Sequence, residues 1–174
     1  TLPNRNTIVA PIDFLNMPVY FDALTLMYRA TTRLAAVNRS EADLATIREL
    51  QEAFAETVAR ADVLAMIAVN RDFHVAVARA GRNRYFTDLS ERLLDEGRRL
   101  LRIYYSSYGD LLPREFVDEH DAIIAAIEAR DAGRADRLAA AHADQIVRRM
   151  QAFLASGIGR EIALDGLRAA GQAP

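Results

Sequence analysis

The stretch Asn70-Arg71-Asp72-Phe73-His74 (N-R-D-F-H, residues 70–74) decides how the chain is read, because it holds one of only three histidines, four positions after an asparagine. Successive helical residues turn by ~100°, so on a helix Asn70 and His74 lie one above the other, ~40° apart. Asp72, the more obvious ligand type, then points to nearly the opposite side. The face carrying Asn70 and His74 also carries Leu64, Ile67 and Val77, which makes it the apolar, core-facing stripe.

The other two histidines follow the same pattern. His120 has Phe116 four positions before it and Ile123, Ile124 and Ile127 after it. His142 has Leu138 four before, Ile146 four after, and Met150 beyond. All three histidines therefore fall on core-facing stripes of three separate helices, and none is spent on the surface. Two readings stay open on spacing alone. Each ring could be a buried histidine satisfied by a polar neighbour, at a desolvation cost repeated three times. If the helices pack side by side, the rings could instead converge and bind a divalent first-row metal, for which neutral imidazole is a common ligand.

The surrounding sequence supports helices. Alternating apolar and polar residues are scarce, while Ala, Leu, Arg and Glu, all helix formers, dominate. The opening TLPNRNTIVAPIDFLNMP, with three prolines and three asparagines, reads as an extended arm or linker over 1–17. A first helix starts near Pro18, and Ser40 with Asp43 three residues on caps a second over 41–59. A third runs over 61–80 and stops at Gly81, and a fourth covers 83–108 with Asn83 as its cap. Pro113 opens a fifth to about Arg130, and a sixth covers 134–155. Gly157 and Gly159 precede a short helical tail. The expected fold is an all-α antiparallel bundle of six to seven helices over 18–174.

Composition narrows the function classes. The chain has 174 residues, 51% of them hydrophobic, which suits one folded domain. No apolar run approaches the ~18 residues of a membrane span, and a cytoplasmic location is expected. Without cysteine there are no disulfides, thiolate ligands or cysteine nucleophile. The 22 basic and 24 acidic residues nearly cancel, so the chain by itself is not expected to grip DNA. H-E-x-x-H, G-x-S-x-G, the P-loop and G-x-G-x-x-G are all absent.

Three segments carry a resemblance: N-R-D-F-H-V-A-V-A-R-A-G-R-N (70–83), E-H-D-A-I-I-A-A-I-E-A-R-D (119–131) and A-A-A-H-A-D-Q-I-V (139–147). In order and spacing, with the last histidine 22 residues after the second, the chain resembles the FCD effector-binding domain of GntR-type bacterial transcription regulators. The likeness spans about residues 18–155. It implies a helical bundle, usually dimeric, enclosing a central cavity with a divalent metal at its base. The implied ligands here are Asn70, His74, His120 and His142, and zinc is the foremost ion, with nickel and manganese as alternatives. The implied effector is a small organic acid that touches the metal and controls an N-terminal winged helix-turn-helix on DNA. No such DNA-binding module is present in these residues, so either the chain is a fragment with the arm as the remnant of a linker, or the reader head was lost.

The chain departs from the family pattern in its first helix. An R-x-x-[LV]-E type segment often supplies an arginine for the effector carboxylate, but here the region reads ALTLMYRATTRLAA, and Arg29 and Arg33 fall late. Thr25, Tyr28, Arg29 and Thr32 are the candidate effector contacts on this helix, with Arg98 and Arg102 on the fourth and Gln145 after His142. Tyr104, Tyr105 and Tyr108 read as core or interface aromatics. The resemblance implies a non-enzymatic sensor. The alternative is a metal-dependent hydrolase using a three-histidine site, but the stripes offer it no evident general base.

Overall fold

The structure, a computed structural model, describes residues 16–158. Six helices account for nearly all of it: α1 (Met17–Asn38), α2 (Glu41–Ala59), α3 (Val63–Ala80), α4 (Arg84–Ser106), α5 (Glu115–Glu128) and α6 (Ala132–Ile158). Among the described residues there is no strand and no helix long and apolar enough to cross a membrane. The expected all-α fold is what forms. Of the expected arm (1–17), Met17 already belongs to α1, while residues 1–15 and the tail (160–174) lie outside the described residues.

Local chemistry sets the helix starts. Pro18 stands in the first turn of α1, where a missing N–H costs nothing. Ser40 and Asp43 form a reciprocal capping box on α2. Asp62 accepts from Ala65 N at 3.1 Å to open α3, and Asn83 accepts from Tyr85 N and Phe86 N to open α4. Pro113 stands just ahead of α5, which begins at Glu115, and α6 continues through Gly157 where a break was expected.

Three-residue turns fold α2 back onto α3, α3 onto α4 and α5 onto α6. Each turns on a left-handed residue that is not glycine: Ala61 at φ 53°, Arg82 at φ 58° and Arg130 at φ 56°. Cross-bonds hold both arginines. Arg82 pairs with Asp43, and Arg130 donates to Val37 O and Arg39 O across the α1–α2 junction. Gly81 itself is right-handed. Its lack of a Cβ serves packing instead, since that atom would stand 3.0 Å from Leu34 Cβ on α1.

Helix α1 runs through the middle of the bundle, packing on α6, α3, α4 and α5, while α2 covers α3 and α5. The interior forms two apolar clusters. Phe21, Leu24, Tyr28, Phe54, Tyr104 and Met150 belong to one; Ala35, Ile47, Phe73, Val77, Ile123 and Ile127 belong to the other. The three histidines stand at their junction. On α3, Ile67 and Val77 are buried as expected, but Leu64 is 77% exposed. It lies ~120° around the helix from Asn70, at the margin of the stripe rather than on it.

Candidate metal centre

Helices α3, α5 and α6 each bring one histidine to a common point. His74, His120 and His142 are all buried, and one ring nitrogen from each comes within 4.8 Å of the others. The ring centroids form a nearly equilateral triangle: 5.1 Å from His74 to His120, 5.3 Å from His74 to His142, and 5.0 Å from His120 to His142. Asn70, one turn before His74, is also buried and lines the same cavity as His120 and His142.

Two polar neighbours fix which ring nitrogen faces inward. The Gln51 amide donates to Val117 O and to Asp121 Oδ1, both at 2.9 Å, so its Oε1 is left to accept from His120 Nδ1 at 3.0 Å. His142 Nδ1 donates to Glu119 Oε2 at 2.8 Å. Both rings therefore carry their proton on Nδ1 and present the bare Nε2 lone pair to the interior. Nε2 of His74, of His120 and of His142 is buried without a hydrogen-bond partner. Buried ring nitrogens left without partners cost about 1–3 kcal/mol each. A cation is the species that satisfies all three at once.

Aromatic faces complete the enclosure. Tyr28 stacks on His74 at 4.3 Å and Phe73 on His120 at 4.2 Å, while Phe54 tilts against His120 at 5.0 Å. This apolar wrapping, and then the neighbouring His142, holds the His74 imidazole well below its ordinary value. The same burial, with His142 and His74 as secondary causes, lowers His120. Neutral rings are the form that binds a metal. Asp72 is exposed and paired with Arg71, so it takes no part.

The expected effector contacts divide. Tyr28 is buried against His74, Thr32 is buried and Thr25 half-buried on α1. Gln145 is half-buried, and its side-chain oxygen has no partner. The arginines stand elsewhere. Arg29 is exposed and paired with Asp136 at 2.6 Å, Arg102 is exposed and paired with Asp110, and Arg98 is exposed. Sequence reasoning missed Gln51 and Glu119. The available signals were a glutamine interrupting the buried run Leu44, Ile47, Phe54 and a carboxylate directly before His120.

The family model of the FCD domain matches residues 20–145. Among solved structures, E. coli McbR/YncC superposes with a TM-score of 0.76 at 20% identity, covering 87% of this chain and 76% of that one. At that identity the likeness concerns the fold. No curated protein matches the chain.

Proposed function

Since the chain belongs to the FCD domain family, we propose that it is the effector-sensing, metal-binding domain of a GntR-type transcription regulator. Asn70, His74, His120 and His142 would hold a divalent ion, with zinc foremost and nickel or manganese as alternatives. The observation that carries this reading is the convergence of three buried Nε2 atoms without partners. Gln51 and Glu119 keep those of His120 and His142 aimed, and Tyr28, Phe54 and Phe73 cover the ring faces. The neutral Asn70 carbonyl adds no negative charge, so a bound ion would keep its pull on an anion. When bound, the metal would supply positive charge for the carboxylate of a small organic acid.

Effector binding would then bias a homodimeric cytoplasmic regulator between DNA-competent and incompetent states through an N-terminal winged helix-turn-helix. A metal-dependent hydrolase is the second reading. It needs a free general base, and Glu119, the carboxylate bonded to a site ring, is already occupied by His142 Nδ1. The test begins with metal analysis of purified protein and melts with and without chelator. An absence of metal and of any chelator effect sinks both readings. With metal present, the sensor reading expects His74→Ala to abolish acid-induced stabilisation. Ester or phosphate turnover that vanishes in the same variant decides for the hydrolase.

A further inference from the structure

Two small cavities adjoin the histidine triangle and share Leu101 and Ile146 as walls. The first, ≈ 10 Å³, is lined by Asn70, His120 and His142 with the tyrosines Tyr104 and Tyr105. The second, ≈ 20 Å³, is lined by Phe21, Leu24, Leu94, Leu100 and Met150, and its only polar side-chain groups are the hydroxyls of Tyr20 and Tyr28. Among the described residues, no charged side chain lines either cavity.

We propose that the effector is a monocarboxylic acid with an apolar body, its carboxylate at the His120–His142 end and its body along Leu24, Leu94 and Met150. This rests on the metal-centre reading and adds the ligand's chemical class to it. A metal could take one carboxylate at the triangle. A second carboxylate, or a row of sugar hydroxyls, would have to lie in the apolar arm, which offers two tyrosine hydroxyls and no cation to neutralise a buried anion. Arg29, Arg98 and Arg102, the cations that could have taken a second anion, are all exposed.

Each cavity has room for about one water, so the acid's body must part the walls between them. Of the two shared walls Ile146 is buried and Leu101 only half-buried, so Leu101 is the wall that can move. Tyr20 limits the length of the arm. Its hydroxyl donates to Leu93 O at 2.9 Å and lies across Gly97, where a Cβ would fall 1.9 Å from the phenol oxygen.

The test is thermal shift and calorimetry on the zinc-loaded 174-residue chain, with acetate, butanoate, hexanoate and octanoate set against succinate, citrate and gluconate. Dissociation constants are expected to tighten by about fourfold for each added methylene until the arm is full. A negative heat-capacity change should grow with chain length, and the polar acids should be silent. Leu101→Trp, which fills the junction, should weaken the hexanoate and octanoate responses far more than the acetate response, with helix content unchanged. Equal or stronger binding of succinate or citrate, or no dependence on tail length in the unsubstituted protein, overturns the proposal and leaves the metal-sensor reading standing. If no zinc binds, both fall together.

Discussion

Gln51 on α2 and His120 on α5, 69 positions apart in sequence, meet in the core as Oε1 and Nδ1 at 3.0 Å. The amide is fixed at its other end by Val117 O and Asp121, so it cannot turn its oxygen away without losing both bonds. One glutamine thereby decides which nitrogen of His120 faces the other two histidines. Gln51→Leu keeps the volume of the site but frees the ring to change tautomer. Metal affinity should fall by about 10–100-fold, and the stranded Nδ1–H should cost about 1–3 kcal/mol of stability. Competition titration with a chromophoric chelator and urea unfolding read the two effects separately; unchanged affinity would show that His120 needs no such orientation.

Glu119 serves His142 in the same way, through the 2.8 Å bond to Nδ1. Glu119→Gln is nearly isosteric and removes the negative charge. Affinity for cobalt, followed by its visible absorption, should drop by about 10–100-fold while helix content stays constant.

Removing the metal should destabilise the fold. A ligand present at 100 times its Kd contributes about 2.7 kcal/mol, and for a chain of this size each kcal/mol moves Tm by about 2–4 °C. Chelator should therefore lower Tm by about 5–10 °C in the metal-loaded protein. In His120→Ala the same treatment should move it hardly at all. A full chelator shift in that variant would place the metal elsewhere.

Acid should weaken the metal-free protein through the histidines. Burial holds His74 and His120 well below their ordinary value in the folded state, whereas in the unfolded chain they titrate near ~6.5. Above that pH both states are neutral and nothing is gained or lost. Below it the unfolded chain takes up protons that the folded core refuses, so stability falls as the pH falls. Between pH 6.5 and 5.5 the two rings together should cost about 2 kcal/mol. Urea unfolding of the metal-free protein at both values measures it, and His120→Phe should remove about half of the loss.

Ser40→Ala separates stability from function. It breaks the capping box of α2 and should cost about 1 kcal/mol. Metal affinity, measured by the same chelator competition, should not change, because Ser40 is an exposed residue ahead of the helix and only Gln51, farther along α2, bonds to a site histidine.

Much of this molecule was legible in one dimension. The bounds of α2 follow from Ser40, Asp43 and the break after Ala59, and Asn83 caps α4 as its position suggests. Burial of Asn70, His74, His120 and His142 follows from a 100° turn per residue applied to three apolar stripes. Leu64 marks the limit of that reasoning, since a residue at the margin of a stripe is buried only if a neighbouring helix reaches that far, and here none does.

The sequence by itself determined which residues face inward, because helical periodicity is a local property of the chain. Only the tertiary structure decided what they meet there. Convergence of one nitrogen from each of three rings to within 4.8 Å, selection of Nε2 on His120 and His142 by Gln51 and Glu119, and the surface pairing of Arg29 with Asp136 107 positions away all depend on how helices pack. Those contacts arise from the fit of whole helical faces, and no window along the chain contains both partners. Hydrogen bonds and lone pairs are short-ranged and directional, so they take on meaning only once distant segments have been brought to atomic contact.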